Sequence, residues 1–203
     1  MNLIKKLLKR KLLTVTLVGF VLFAWITSYF IYNYIHLNNY VAQASQVKED
    51  SDLLANQNPI RLKIPTINVD ATIEYVGLDK LGAMGVPLGP DNVAWYNQGP
   101  HPGEVGSAVM DGHSGWKDGI PAVFDNLYKL KKGDKIYVEN SKGEAKTFVV
   151  REIRTYDPEA DASNIFNSTD GLAHLNLITC SGLWDDVAKN HSSRLVIFTD
   201  LEI

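Results

Sequence analysis

The chain has 203 residues with 45% hydrophobic and 21% charged residues, enough apolar material for one cored domain plus an appendage and too ordered a composition for a disordered chain. Its single cysteine excludes a disulfide framework and any multi-cysteine zinc or iron–sulfur centre. The formal net charge of -3 is unevenly spread: Lys5, Lys6, Lys9, Arg10 and Lys11 stand alone before Lys48, and the other 15 bases against 23 acids leave residues 48–203 at -8. That acidic part lacks the basic face phosphate contacts need, so no nucleic acid is expected as a partner.

Residues 1–11 form a basic tail, and Leu12 to Ile35 is an uncharged run. As a helix, those 24 residues would extend roughly 36 Å, enough to cross a hydrocarbon core of about 30 Å. Bases before the run and acids after it favour a cytoplasmic amino terminus with the remainder outside. Trp25, Tyr29, Tyr32 and Tyr34 gather where amphipathic rings prefer the headgroup level. Three readings compete: an uncleaved single-pass anchor over 12–35, a cleaved signal peptide with Ala42-Gln43-Ala44 as its small-residue site, and a buried helix of a soluble protein. The run is about twice the usual length of a signal-peptide core, and its one-sided basic flank does not suit a buried helix; the anchor is therefore the reading carried forward.

Residues 36–59 turn polar, without a convincing apolar face, and read as an extracellular stalk with room for some helix, as over Val47 to Leu54. From Ile60 to the end the texture is that of strands. Ile60–Ile64 and Val69–Val76 alternate in part, and Ser107–Met110 is a short apolar run. Lys135–Glu139 and Lys146–Arg154 flank the hairpin signal Asn140-Ser141-Lys142-Gly143, and His174–Thr179 and Arg194–Ile203 complete the set. Ile120, Val123, Phe124, Leu127 and Leu130 follow helical spacing and end at Lys131-Lys132-Gly133, which predicts a helix. Six to eight short strands with one or two short helices give an all-β domain over 60–203, closed or nearly closed into a barrel. Leu81–Pro102 and Asp157–Leu172 are long turn-rich connections, where binding surfaces usually lie.

Cys180 ends the apolar run Leu175–Thr179, and Ser181-Gly182 follows, so the thiol is expected at a strand mouth. It is either a small buried hydrophobe or a nucleophile. A nucleophile needs a base and an oxyanion donor. Of the five histidines, His36 lies at the anchor boundary, and His174 is six residues away, about 20 Å at strand rise. His101 sits in a Pro-Gly turn and His191 in a polar loop. His113 follows Ala108-Val109-Met110 and is flanked by Gly112 and Ser114-Gly115, the same strand-mouth setting as Cys180. Arg194 opens the last apolar strand; it either pairs with a surface acid or, beside a thiol, steadies an oxyanion. No helical i, i+4 histidine pair and no phosphate-cradling glycine loop is present in the sequence, and neither a metal nor a cofactor is expected.

The stretch from Pro102 through Gly112-His113, then Leu177-Ile178-Thr179-Cys180, then Arg194 fourteen residues on, resembles the sortases, membrane-anchored cysteine transpeptidases of mainly Gram-positive bacteria. The resemblance covers roughly residues 60–203 and is closest to class F or the related D and E groups. It implies a closed eight-stranded sortase-type β-barrel behind a transmembrane helix. It further implies that Cys180 attacks the Thr–Gly carbonyl of an LPXTG-like sorting signal, that His113 moves the proton, and that Arg194 opposes the oxyanion. The implied partners are sorting-signal-bearing surface proteins and an amine of a peptidoglycan precursor or pilin. The 157–172 connection matches the wall of the family's substrate groove, so Ile165, Phe166 and Leu172, together with Thr179, are expected at the substrate. Two other functions fit the residues alone: an extracytoplasmic cysteine peptidase or amidase acting on wall peptides, and a non-enzymatic wall-binding barrel.

Overall fold

The computed structural model describes residues 2–185 and 190–203, with side chains at 19–20, 22–48, 58–184 and 191–203. Two compact units result, residues 1–53 and 54–203. The first consists of the helix α1 (Asn2–Gln57) up to residue 53, and α1 continues through nearly all of the stretch read as a stalk. Among the described residues, no helix is long and apolar enough to cross a membrane. Residues 12–18 and 21 of the expected 12–35 span lie outside those whose side chains are described.

The second unit is built from β1 (Pro59–Ile64), β2 (Val69–Val76), β3 (Val93–Tyr96), β4 (Gly106–Gly112), β5 (Lys135–Asn140), β6 (Ala145–Tyr156), β7 (Ala173–Asp185) and β8 (Asn190–Leu201). Among the described residues these close into one barrel in the order β1-β2-β3-β4-β7-β8-β6-β5, with β5 returning to β1. Closure removes the open edges that a sheet of this size would otherwise present. Two neighbouring pairs, β2 with β3 and β4 with β7, are parallel. A parallel pair cannot be joined by a tight hairpin, so a long connection runs from β2 to β3 and further chain separates β4 from β7. The chain that feeds the site is thus obliged by topology to leave the barrel as loops.

Strands β4, β7 and β8 carry short central apolar runs, Ala108–Met110, Leu177–Ile178 and Leu195–Phe198, whose residues are apolar on both faces because both faces are covered there. Ala108, Met110, Leu175, Leu177, Leu195 and Ile197 point into the barrel core with Leu62, Ile64, Phe124, Ile136 and Phe148. Val109, Val196 and Phe198 point outward into a second apolar layer with Ile165. That layer exists because the connection between β6 and β7 folds back over the barrel wall, carrying a one-turn helix, α2 (Ser163–Phe166).

The helix predicted over residues 120–130 is absent. Its place is taken by turns and a single 3-10 turn, Leu127–Lys129. Pro121 has no N–H to give and turns Ile120 away from helical geometry (φ -65°, ψ 131°), and Leu130 is extended as well. The apolar spacing was nonetheless meaningful, since Phe124, Leu127 and Leu130 are all buried in the core. Strand β3 was missed inside the 81–102 connection: four residues are too short for a periodic signal.

Candidate active site

The pleat of the β4–β7–β8 ribbon alternates side chains between the core and the outer face. Asp111, Ile178 and Val196 share one outward row, with Asp111 paired to Ile178 and Ile178 to Val196. Two residues on, Cys180 faces Arg194 directly across the β7–β8 ladder. The β4–β7 pairing ends at Asp111 and Ile178, and His113 lies two residues further on, just past the end of β4. The link at this end is the buried Thr179 hydroxyl, which donates to the Gly112 carbonyl at 2.6 Å. Sequence reasoning expected Thr179 to meet substrate. Its side chain is on the core face, where it ties the end of β4 to β7 one residue before the cysteine.

Gly112 is required by packing. A Cβ there would lie 2.5 Å from Phe124 Cδ2 and 2.7 Å from its Cε2. The Phe124 N–H also donates to the His113 carbonyl at 2.9 Å, fixing the chain just past the strand. The His113 ring is half-buried, lies 4.7 Å from the Trp116 ring, and its Nε2 is 2.9 Å from the Pro87 carbonyl. A carbonyl only accepts, so Nε2 carries the hydrogen and Nδ1 is left to accept or release a proton.

Arg194 is half-buried, and its Nη1 donates to the carbonyls of Ser193 (3.1 Å) and His191 (3.3 Å) in the β7–β8 hairpin. The hairpin itself is shaped by a bulge between Ser181 and Trp184, with Gly182 at φ 79° and no room for a Cβ against Ser192 Oγ. Burial pushes the Cys180 thiol up from its ordinary range, Arg194 pulls it down, and Asp111 pushes it up again.

A groove of about 1090 Å³ runs along this outer face toward Cys180, walled by the β2–β3 connection on one side and the β6–β7 connection on the other. Met84, Tyr96, Ile165, Phe166 and Ile178 give it an apolar lining, with Asp111 and Arg194 at the end nearest the cysteine. Ile165 and Phe166 enter that lining from α2. Leu172 does not line the groove: it is exposed, and its carbonyl accepts the Gly106 N–H at 2.9 Å.

Asp111 was overlooked. Burial drives its carboxyl up to about 7, against the opposing pull of Arg194 and the Gly112 N–H. The signal was available, because Ser-Ala-Val-Met-Asp-Gly-His puts one acid in an apolar run with the same parity as His113. The other histidines separate cleanly. His174 is buried between Asp200 (Nδ1 to Oδ1, 2.8 Å) and Asp170 (Nε2 to Oδ2, 3.0 Å) at the far end of the ribbon. His101 is half-buried 4.7 Å from the Trp95 ring, and His191 lies 5.2 Å from Trp184. His36 stays on α1, between Tyr32 and Tyr40. Among the described residues, no group of three or more His, Cys, Asp or Glu could hold a metal ion.

The closed eight-stranded barrel thus sets a cysteine opposite an arginine on one rung, and that arginine lines the groove together with Asp111 and Ile178. The sortase domain model matches residues 62–202, and the chain belongs to the sortase family: it is a cysteine transpeptidase. Among solved structures it is similar to a lid mutant of sortase A from Corynebacterium diphtheriae (TM-score 0.56, 25% identity, 71% of this chain and 70% of that one). It is also similar to sortase C-1 from Actinomyces oris (0.55, 27%, 72% and 76%). A third is the complex of Streptococcus agalactiae sortase C1 with MTSET (0.55, 25%, 71% and 67%). No curated protein matches the chain.

Proposed function

We propose that Cys180, His113 and Arg194 carry the transpeptidation, acting on an LPXTG-like sorting signal laid along the groove. The observation that carries this reading is the shared rung: Cys180 opposite Arg194 on β8, with Thr179 holding the end of β4 alongside. The Cys180 thiolate attacks the carbonyl carbon of the threonine. The oxyanion that forms lies within the field of Arg194, whose planar guanidinium suits a fixed carbonyl oxygen. Collapse expels the glycine amine, which takes a proton from His113 at Nδ1, and leaves a thioester on Cys180. An incoming amine gives its proton to His113, attacks the thioester, and releases the thiolate. Free thiol near its ordinary range is only a few per cent ionised at neutral pH, and burial lowers that fraction here, so thioacylation runs on a minority form of the enzyme.

Ile165 and Phe166 receive the apolar leucine and proline of the signal. The amine comes from a peptidoglycan precursor or a pilin lysine. We place the enzyme in the cell membrane as a single-pass protein with residues 12–35 as its span, the amino terminus in the cytoplasm and the barrel outside. The basic flank supports this, and so do the described apolar side chains of α1, Phe20, Phe23, Trp25, Phe30 and Tyr34 among them, which are exposed as a lipid-facing helix requires.

The test is incubation of the protein with an LPXTG peptide, with and without an amine. Mass spectrometry should find a thioacyl adduct on Cys180 and an amine-dependent transfer product. An amide-bond cleavage that ignores the amine would make the protein a hydrolase, and an intact peptide with no adduct would end the proposal.

A further inference from the structure

The connection between β2 and β3 is tied down by a single carboxylate. Glu74, on β2, accepts the Leu88 N–H at Oε2 (3.0 Å) and the Asn92 side-chain amide at Oε1 (2.8 Å). Pro87 C=O and Leu88 N–H are the two ends of one peptide group. Its N–H is held by Glu74, and its carbonyl receives the Nε2–H of His113 at 2.9 Å. The connection is also braced from its other side, where the Pro90 carbonyl accepts the Val123 N–H at 2.8 Å, next to the residue whose N–H holds the His113 carbonyl. A carboxylate, one peptide group and an imidazole thus form a continuous chain of hydrogen bonds. In such a chain each bond polarises the next, so an acceptor whose own N–H is bound to an anion binds its donor more firmly. The arrangement does through a backbone unit what a carboxylate in direct contact does for a catalytic histidine: it selects the tautomer and fixes the ring plane.

We infer that Glu74 is a positioning residue for His113, acting through the Pro87–Leu88 peptide to keep the hydrogen on Nε2 and so reserve Nδ1 for the proton that moves in catalysis. The assignment of that last role rests on the reading of His113 given above; the hydrogen-bond chain does not. Asp79, which caps the outer part of the same connection through the Leu81 and Ala83 N–H groups, is the internal control, because it holds the loop without reaching the imidazole.

The experiment uses the full chain in detergent micelles, labelled with ¹⁵N-histidine, as wild type, Glu74→Gln, Glu74→Ala and Asp79→Ala. Long-range ¹H–¹⁵N correlation should show His113 of the wild type with hydrogen on Nε2, and Glu74→Ala as a mixture of tautomers. Peptide transfer by Glu74→Ala should fall roughly 10- to 100-fold in kcat, the size of effect expected for removing an outer-shell partner, with KM within about twofold. Glu74→Gln, which keeps one acceptor oxygen, should recover part of the loss, and Asp79→Ala, which loosens the groove wall without touching the imidazole's chain of hydrogen bonds, should keep the wild-type nitrogen shifts. A wild-type His113 with its hydrogen on Nδ1 would overturn the inference, as would a Glu74→Ala enzyme with unchanged shifts and kcat, or an Asp79→Ala enzyme with the same mixture of tautomers. Should Glu74→Ala not fold, the wild-type and Glu74→Gln spectra decide alone. The spectra need no substrate, so failure of peptide transfer in the wild type counts against the proposed function and leaves this inference standing or falling on the tautomer.

Discussion

The outer face of the β4–β7–β8 ribbon carries polar groups at both ends, and the two ends treat them in opposite ways. At one end His174 is buried and bridged to Asp170 and Asp200, with Arg151 3.3 Å from Asp200. The groups satisfy one another, and the carboxyl of Asp170 is held well below the ordinary carboxylate range by the Leu172 N–H, then by His174 and Ser168. At the other end Cys180, Arg194 and Asp111 share a desolvated face at the head of a groove, and both acids are pushed up by burial. The same strands and the same pleat therefore serve as a clasp in one place and a reactive surface in the other. The difference lies in whether chain folds back to meet the polar groups, as residues 167–172 do for His174, or leaves a groove above them.

The largest test of this contrast removes the sulfur. Cys180→Ala should abolish thioacyl formation, a loss of at least roughly 1000-fold in transfer, while shifting Tm little, because a small half-buried side chain is replaced by another. His174→Gln should do the reverse: a lower Tm from two broken hydrogen bonds to a buried ring, with transfer within about threefold of wild type. If the cysteine variant melted early and the histidine variant were inactive, the assignment of the two ends would be wrong.

Arginine chemistry comes next. Arg194→Lys keeps the charge but loses the planar fork, and should cost roughly 100-fold in kcat, the scale of losing one oxyanion donor. Equal activity for lysine would reduce Arg194 to a field effect on the thiol. Gly112→Ala probes the joint between the strands instead of the chemistry. Its Cβ would meet the rigid Phe124 ring at 2.5 Å, so the barrel should lose about 1–3 kcal/mol in urea unfolding. Coincident wild-type and variant curves would mean that the ring moves aside freely.

How far these features could be read in advance follows from the same contrast. Seven of the eight strands announced themselves, because alternation or a continuous apolar run is a local property. His113 lies just past the end of β4, as its Gly- and Ser-rich flanks suggested, but the strand mouth expected for Cys180 is not one: β7 runs on to Asp185 and β8 starts at Asn190, so Cys180 and Arg194 sit inside their strands, and the break at Ser181-Gly182 is a bulge in a continuing ladder. What escaped depends on partners remote in sequence. The Thr179 hydroxyl lies on the core face by register with Gly112, 67 positions away. Glu74 acts on a loop that a parallel pairing forces to double back, and Leu172 spends its carbonyl on Gly106. The apolar spacing of 120–130 described which residues are buried but not the backbone that buries them, since Pro121 breaks the helix that the same spacing favours.

The subtlest difference between the two ends is one of sign, and acidity exposes it. Asp111 is pushed up to about 7 in the fold, against about 4 in an unfolded chain. Between those values the folded protein keeps a proton that the unfolded one has released, so stability falls as pH rises from about 4 to about 7 and is flat above. Asp170 is displaced the other way: its contribution is present above the unfolded value of about 4 and is lost as the pH drops below it. Asp111→Asn should therefore gain on the wild type as the pH is raised across that window, by on the order of 2 kcal/mol at pH 8. Asp170→Asn should lose ground to it above pH 4 and converge in stronger acid. The first variant should also react several-fold faster at Cys180 with iodoacetamide near neutrality, because one of the influences raising the thiol is gone. Urea melts of the three proteins at pH 3.5, 5.5 and 8, with alkylation rates at pH 7, measure both effects. Parallel pH profiles for the two variants would mean that Asp111 is solvated as well as Asp170, and that the groove end of the ribbon is no more desolvated than the clasp.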